Sequence, residues 1–197
     1  EVLALDRALA ASGYQREAPT AVLVKPLHGR YPCSPGRGSV LTVSDWLQVW
    51  SALRALPAEQ LLIQQRMLDR ITEPCWPLLV SDDSALPVAT ALGVISNNLL
   101  GVYGVATAVH ARRRGLAASL ISQLCAQAAQ QGVRSAYLQV EIANRPAMNL
   151  YRSLGFEPAY QYWFRVRPVI ESEFSSPVLI DELIDTSFQH EVHHEYH

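Results

Sequence analysis

The sequence predicts a mixed α/β fold in which a mixed sheet is flanked by helices, and three observations support this. From Leu99 onward, strand-like and helix-like stretches follow in the order strand, helix, strand, helix, strand. The stretch Gly115 to Gln131 repeats its apolar residues on one helical face, and Gly132 stands where a C-terminal cap belongs. Ser135 to Glu141 alternates apolar and polar residues, as a half-buried strand does.

The elements before and after this region are predicted from capping and turn residues. The turn Asn97-Asn98 would join two paired strands, and Gly155 would end the last helix. In chain order the predicted elements are a strand Ser39–Val43, a helix Ser44–Leu56 capped by Ser44-Asp45, a helix Ala58–Ile71, the strands Trp76–Val80, Leu86–Ile95 and Leu99–Val109, the helix and strand above, and a helix Pro146–Leu154.

Length and composition fit one globular domain with extra material at its ends. The chain has 197 residues, of which 49% are hydrophobic and 17% charged. The net charge of −2 divides unevenly, because seven acidic residues and no Lys or Arg follow Arg167. The remaining body is mildly basic, which suits a small polyanionic ligand better than duplex DNA.

The cysteines indicate the redox state of the cellular compartment, and the longest apolar stretch shows whether a membrane span is expected. Cys33, Cys75 and Cys125 are odd in number and widely spaced, with no metal-ligand spacing, so we expect a reduced, cytoplasmic setting and no metal site in the body. The apolar stretch Leu86 to Val109 is interrupted by two asparagines and two glycines, which predicts strands rather than a membrane span. No signal peptide is recognisable, although an opening at Glu1 is compatible with a trimmed or truncated chain.

Two stretches, Leu9 to Leu27 and Tyr151 to Val169, resemble each other at a constant offset of 142 residues. Each has a helix-like segment, a Gly followed by an aromatic residue, a strand-like segment and a basic residue followed by Pro. We interpret residues 1–27 as the end of a preceding, related half-domain, with chance similarity as the alternative. Residues 28–38 would be a linker, 39–168 the main domain, and 169–197 an acidic, His-rich tail.

The most informative feature is the junction Arg112-Arg113-Arg114-Gly115 at the start of the long helix. Three cations at the positive end of a helix dipole are unfavourable, by about 0.3–1 kcal/mol each, unless an anion lies among them. Gly115 leaves room for a ligand to approach the backbone, and the first helical N–H groups are free donors. The junction therefore predicts a phosphate-binding site.

A second motif follows after one helix and one strand: Asn144, Ala147, Leu150-Tyr151 and Leu154-Gly155-Phe156. With Arg112-x-x-Gly115-x-Ala117 before it, the chain resembles the GNAT superfamily of acyl-CoA-dependent N-acyltransferases over roughly residues 39–168. The resemblance implies a central, mostly antiparallel mixed sheet. It also implies that acetyl-CoA is the acyl donor, and that the chain is a tandem-type member if residues 1–27 end another half.

The resemblance further implies a set of coenzyme-binding residues. Backbone groups of Val105, Ala106 and Thr107 would hold the pantetheine arm like an added strand. Asn144 stands at the family's coenzyme-contacting Asn position. The pyrophosphate would rest on the loop and first helical turn, with charge-assisted contacts from the arginines, at Arg112, Arg113, Arg114, Gly115, Leu116, Ala117 and Ala118.

Attack of an amine on a thioester requires a proton for the leaving sulfur and a base for the amine. Tyr151 occupies the family's general-acid position, and a tyrosine is protonated at neutral pH. Glu141 is our candidate base, acting through one water. The chain departs from the family at Val109, where many members have Pro, and at Gln139, where some members place an acidic base.

Each assignment has a plainer alternative. Tyr151 could be a core aromatic residue, Asn144 a helix cap, and Glu141 a loop anchor. The arginine triplet could bind nucleic acid, although it lacks interleaved aromatic residues. Cys125 is interpreted as a packed thiol rather than a nucleophile. Four tail histidines with helical spacing could ligate a metal, at positions His190, His193, His194 and His197.

Taken together, the sequence predicts a cytoplasmic N-acetyltransferase that transfers an acetyl group from acetyl-CoA to a small-molecule or peptide amine in a ternary complex. No nucleic acid or membrane partner is expected, and a homodimer is left open. The aromatic residues Tyr160, Tyr162 and Trp163 fit either a flat or cationic acceptor or sheet packing. The alternatives are a non-catalytic acyl-CoA sensor or tandem pseudo-enzyme module and, less directly, a nucleic-acid-binding domain.

Overall fold

The computed structural model describes residues 2–27 and 38–168. In these ranges, no helix is both long and apolar enough to cross a membrane. The elements, in chain order, are α1 (Val2–Ala11), β1 (Gln15–Pro26), β2 (Ser39–Val40), α2 (Val43–Arg54), α3 (Ala58–Leu68), β3 (Cys75–Ser81), β4 (Pro87–Ser96), β5 (Leu99–Thr107), a short 3-10 helix (Val109–Ala111), α4 (Leu116–Gln130), β6 (Ser135–Glu141), α5 (Arg145–Ser153) and β7 (Glu157–Val166).

The strands form one seven-stranded sheet in the order β2-β3-β4-β5-β6-β1-β7. Strands β2 to β5 pair antiparallel in sequence, whereas β5 and β6 pair in parallel, with α4 as the crossover helix between them. The predicted mixed α/β fold, with a mostly antiparallel mixed sheet flanked by helices, is therefore confirmed.

Two groups of buried side chains hold the helices to the sheet. The larger cluster contains the apolar side of α4, where Leu120, Ile121 and Leu124 are at most 1% exposed. The smaller cluster packs Trp46 and Leu47 of α2 against the sheet. Because alternate residues of a strand face opposite sides, neighbouring residues of β4 serve different clusters, and α2 and α4 pack on opposite faces.

Strand β1 lies inside the sheet, between β6 and β7. It pairs antiparallel with β6 from Thr20 opposite Glu141 to Pro26 opposite Ser135. The predicted origin of residues 1–27 in another half-domain thus remains a prediction, but their strand is an integral part of this sheet.

The internal similarity extends to hydrogen bonding at the two helix ends. Gly13 and Gly155 both adopt left-handed backbone conformations, with φ of +86° and +83°. The N–H that follows each glycine donates to a carbonyl in the preceding helix, from Tyr14 to Leu9 and from Phe156 to Tyr151, at 3.0 Å in both cases. The pairs α1–β1 and α5–β7 therefore share this helix-ending geometry, and their origin as a repeated unit stays a prediction.

The described residues divide into two compact units, Ala18–Trp163 and a smaller one that contains residues 2–17 and 164–168. In the smaller unit, the Arg165 guanidinium contacts both carboxylate oxygens of Asp6, at 2.8 and 2.9 Å. It also donates to the Tyr14 carbonyl at 3.2 Å.

Several predicted boundaries need correction. The strand predicted over Ser39–Val43 ends at Val40, because Thr42 is extended and its hydroxyl accepts the Asp45 N–H at 3.1 Å. Thr42, not Ser44, is the N-cap of α2. The strand predicted to reach Val109 ends at Thr107, where the chain turns into the 3-10 helix.

Other boundary differences are smaller, and three predicted turn residues are confirmed. The strand predicted to start at Leu86 starts one residue later, as β4, and the helix predicted to end at Ile71 ends at Leu68, as α3. Asn97 and Asn98 both have positive φ, as the tight hairpin between β4 and β5 requires. Gly132 has a φ of +82° just after α4. Most of the predicted linker, the tail histidines and Cys33 lie outside the described residues.

Replacing the observed cap should destabilise the protein. We expect Thr42→Ala to lower the free energy of unfolding by about 0.5–2 kcal/mol, since the Asp45 N–H loses its partner. Denaturant unfolding measures the change. Ser44→Ala is the matched control, with an expected effect below about 0.5 kcal/mol. A larger loss of unfolding free energy from Ser44→Ala than from Thr42→Ala would show that Ser44, not Thr42, caps α2.

Candidate functional site

The site begins where β5 separates from β6. Their parallel pairing is described from Leu99 opposite Ser135 to Val102 opposite Leu138, yet β5 continues to Thr107. On its other side β5 remains paired with β4, after a register shift between Thr90 and Leu92. The last residues of β5 therefore present backbone groups toward a gap instead of toward a neighbouring strand.

Gly104 shapes the backbone at this gap. Its φ is +54°, and a Cβ at this position would overlap the Trp46 indole. Trp46 is only 3% exposed and stacks on Trp50, with ring centroids 5.7 Å apart and planes 11° from parallel. Helix α2 therefore packs closely on the irregular part of β5, which only glycine permits.

The opposite side of the gap is the start of α4. Gly115 has a φ of +76°, and its carbonyl accepts the first helical hydrogen bond, from the Ser119 N–H at 2.9 Å. The N–H groups of the residues between them have no partner within the helix and point out of its first turn. A Cβ on Gly115 would meet no protein atom within 4 Å, so glycine is required here by its left-handed backbone rather than by crowding from neighbours.

The gap opens into a cavity of about 760 Å³, within the size range of small-molecule sites. Its walls come from the end of β5, the arginine loop, the start of α4, helix α5 and the last turn of α2. The lining residues are Leu53, Arg54, Val105, Ala106, Thr107, Ala111, Arg112, Arg113, Gly115, Leu116, Ala117, Ala118, Asn144, Pro146, Ala147, Asn149, Leu150, Tyr151 and Ser153.

Positive charge dominates the cavity wall. Arg112 and Arg113 line it from the loop, and Arg54 lines it from the end of α2. The Arg112 Nε also donates to the Thr107 carbonyl at 3.4 Å, which ties the loop to the end of β5. Among the described residues, no group of His, Cys, Asp and Glu side chains could hold a metal ion. The cavity thus favours an elongated anionic ligand, held by backbone donors and guanidinium groups.

Tyr151 lies on the α5 wall, with only 8% of its surface exposed. Its ring packs edge-on against Phe156, with centroids 6.3 Å apart. Burial raises the pKa of the Tyr151 hydroxyl above its ordinary value of 10. None of the described residues hydrogen-bonds this hydroxyl, and its raised pKa keeps it protonated at neutral pH.

Asn144 caps helix α5 and also lines the cavity, so it fits both of the roles predicted for it, helix cap and coenzyme contact. Its Oδ1 accepts the Ala147 N–H at 3.2 Å and caps α5, and the residue also lines the cavity. The capping bond uses the carbonyl oxygen, which leaves the amide hydrogens available as donors. Pro146 lies in the first turn of α5, as predicted.

Two residues of the predicted site lie apart from this cavity. Neither Arg114 nor Glu141 is among its described lining residues. Glu141 is exposed at the end of β6, where its carbonyl accepts the Asn144 N–H at 2.9 Å. Gln139, two residues earlier, accepts a hydrogen bond from the Tyr162 hydroxyl at 2.6 Å. The carboxylate therefore lies on a strand that borders the site, without contributing to the wall itself.

Cys125 is a packed thiol, as predicted. It is 1% exposed, and burial raises its pKa to about 11. A thiol with so high a pKa is a poor nucleophile at neutral pH.

Eight of these lining residues received no site role from the sequence: Leu53, Arg54, Ala111, Pro146, Ala147, Asn149, Leu150 and Ser153. Ala147 and Leu150 belong to the second motif, and Pro146, Asn149 and Ser153 recur at helical spacing on one face of α5, so local patterns could have found them. Leu53 and Arg54 could not be found in this way, because they are distant in sequence and reach the site through the packing of α2 on the sheet.

Residues 42–156 match the model of the acetyltransferase (GNAT) family. The chain belongs to the GNAT acetyltransferase family. Its members are acyltransferases that use acyl-CoA and act on amines, and the cavity described above lies within the matched residues. No curated protein matches the chain significantly in sequence.

Solved structures of GNAT proteins share the fold. A GCN5-related N-acetyltransferase from Sphaerobacter thermophilus superposes with a TM-score of 0.65 at 22% identity, over 86% of this chain and 58% of that protein. One from Kribbella flavida gives 0.59 at 23% identity, over 85% and 65%. AAC(6')-Iy, in complex with the bisubstrate analogue CoA-S-monomethyl-acetylneamine, gives 0.52 at 16% identity, over 67% and 97%. The GNAT chain thus spans less than two thirds of the first two proteins.

Matched glycine substitutions should separate folding from ligand binding. Gly115→Ala and Gly132→Ala both place a Cβ on a left-handed residue in open space, at opposite ends of α4. Each should cost about 1–2 kcal/mol of unfolding free energy. We expect only Gly115→Ala to weaken acetyl-CoA binding, by about tenfold or more, because relief of its strain moves the N–H groups at the start of α4.

Isothermal titration and thermal unfolding measure the two effects. Equal loss of coenzyme affinity in both variants would mean that the start of α4 has no special part in binding.

Proposed function

We propose that this GNAT protein is an N-acetyltransferase that transfers an acetyl group from acetyl-CoA to a primary amine by direct attack in a ternary complex. One observation carries the proposal: a single cavity joins the open end of β5, the start of α4 and the buried Tyr151 hydroxyl. The open end of β5 and the start of α4 suit an elongated anionic acyl donor. The Tyr151 hydroxyl suits proton transfer at the reacting end of that donor.

The residues of the cavity fit coenzyme A. The edge of β5 that faces away from β4, at Val105, Ala106 and Thr107, can bind the amide-rich pantetheine arm as a strand edge binds a peptide. The N–H groups from Arg113 to Ala118 can bind the pyrophosphate at the positive end of the α4 dipole. Arg112 and Arg113 add charge, and the Asn144 amide adds a donor near α5.

Arg54 extends this binding surface from the other side of the cavity. It lies in the last turn of α2, across from the loop that carries Arg112 and Arg113. A guanidinium group there can pair with a phosphate from the side that the loop does not reach. Coenzyme binding would therefore join α2 to α4, two helices packed on opposite faces of the sheet.

Acetyl-CoA supplies an activated acyl thioester. The Tyr151 hydroxyl donates a proton to the departing thiolate, and its raised pKa keeps it protonated through neutral pH. Backbone N–H groups at the end of β5 are the available donors to the carbonyl oxygen as negative charge develops on it.

Removal of the amine proton is assigned to Glu141. This carboxylate is exposed at the end of β6, directly before the turn that leads to Asn144. Because it is not part of the cavity wall, the proton would pass through water rather than by direct contact. Gln139 is neutral and already accepts from Tyr162, so it cannot serve as the base.

The acceptor is a small-molecule or peptide amine. Tyr103 and Tyr137 lie on the two strands that separate at the gap and are joined through their hydroxyls, and Tyr162 of β7 donates to Gln139 of β6. Such tyrosines can pack on an apolar or cationic acceptor. Cys75 and Cys125 are both free thiols, which supports a cytoplasmic setting.

Removing the Tyr151 hydroxyl should separate catalysis from binding. We expect Tyr151→Phe to lower kcat by about 10²- to 10⁴-fold, with the dissociation constant of acetyl-CoA nearly unchanged. Thiol release with a panel of amines measures turnover. Thermal shift measures binding, since acetyl-CoA at 100 times its dissociation constant adds about 2.7 kcal/mol of stability.

Tyr14→Phe is the matched control, because Tyr14 is the repeat counterpart of Phe156 and lies outside the cavity. Full turnover by Tyr151→Phe would refute the acid role. Binding of acetyl-CoA with no turnover of any amine by the wild type would favour a non-catalytic acyl-CoA sensor.

Neutralising the proposed base should change the pH profile. With Glu141→Gln we expect kcat/KM for the amine to fall by about tenfold or more at pH 7. The deficit should shrink as pH rises, because the free amine then forms without a base. Glu157→Gln, an exposed acid at the start of β7, is the control. If kcat/KM were lowered by the same factor at every pH, the role of Glu141 would be structural and not that of a base.

A further inference from the structure

The helix that carries Tyr151 is held at its C-terminal end by the only lysine of the chain, Lys25. The Lys25 ammonium donates to the Leu154 carbonyl at 2.6 Å, just after the last residue of α5. The final carbonyls of a helix carry partial negative charge and lack helical partners, so a cation there is favourable. This bond fixes the end of α5 to strand β1.

Lys25 also acts on the aromatic pair behind the site. Its ammonium lies 5.9 Å from the centre of the Phe156 ring, and Phe156 is 1% exposed. That ring packs edge-on against Tyr151, and the Phe156 N–H donates to the Tyr151 carbonyl at 3.0 Å. Lys25 therefore touches both the backbone end and the packing partner that determine where the Tyr151 ring lies.

The position of Lys25 in the chain makes this contact unexpected. It lies on β1, where it pairs with Ala136 of β6, and it falls outside residues 42–156 that match the family model. The strand belongs to the first copy of the repeated helix-strand unit, whereas α5 belongs to the second copy. One copy thus supports the helix of the other.

We propose that Lys25 is a positioning residue for Tyr151, through which β1 completes the active site. This inference rests on the proposed acid role of Tyr151. Loss of the ammonium should let the end of α5 and the Phe156 ring shift, and misplacement of a catalytic group by about an ångström costs up to about 100-fold in rate. The coenzyme cradle is built on β5 and the start of α4, and neither the Leu154 nor the Phe156 contact of Lys25 involves it, so coenzyme binding should be unaffected.

The test is a double-mutant cycle of Lys25→Met and Tyr151→Phe. We expect Lys25→Met to lower kcat by about 10- to 100-fold with an unchanged KM for acetyl-CoA. Lys25→Arg should keep most of the wild-type rate, because it keeps the positive charge. In the Tyr151→Phe background, Lys25→Met should have no further effect on kcat, because the group that it positions is already absent. Arg152→Met is the matched control, since it removes an exposed cation from the same last turn of α5.

The outcomes distinguish this inference from the proposed function. Wild type without turnover would refute the enzyme, whereas active wild type with an equally active Lys25→Met would refute only the role of Lys25. Independent losses in the double mutant, or an equal loss from Arg152→Met, would also overturn it. If Lys25→Met does not give folded protein, Lys25→Gln replaces it in the cycle, because it keeps an N–H donor without the charge.

Discussion

The functional region of this protein depends on one departure from regular pairing, the separation of β5 from β6 after Val102. A sheet that continued its ladder would satisfy every backbone group of β5 internally and leave no strand edge for a ligand. The separation exposes that edge and makes the volume that the start of α4 then closes. The left-handed Gly104 and the Trp46 indole packed over it hold β5 in this irregular path. A local loss of strand pairing is thus stabilised by apolar packing on the far face.

Two different kinds of constraint meet at the cavity. The proposed phosphate-binding side would use backbone N–H groups and guanidinium charge, and its glycine has a conformational purpose. The proposed acid side needs a buried hydroxyl whose proton is retained, and Tyr151 is packed against Phe156 within the main core. Because α4 and α5 share that core, the rigid interior determines the distance between the anion site and the proton donor.

The elements that sequence predicted well are those whose signals are local. Ser135–Glu141 alternates strictly and forms the predicted strand, and α4 has both a clear apolar face and a terminal glycine. Thr42 was missed as a cap because Ser44 and Asp45 carry the same type of signal two and three residues later. Arg54 was missed as part of the cavity wall, and Lys25 as a contact of α5, for another reason. Both reach these positions only through tertiary packing, which no spacing within one segment records.

The place of β1 in the sheet has a consequence for how the chain folds. This strand is synthesised before β6 but lies between β6 and β7 in the sheet, so its ladder cannot close until β6 has been made. Contacts so distant in sequence slow folding, and in the interval the edges of β1 and β6 are open to pairing with other chains. Removing the first 27 residues would make that exposure permanent, so aggregation, rather than loss of one catalytic group, is the expected fate of such a truncation.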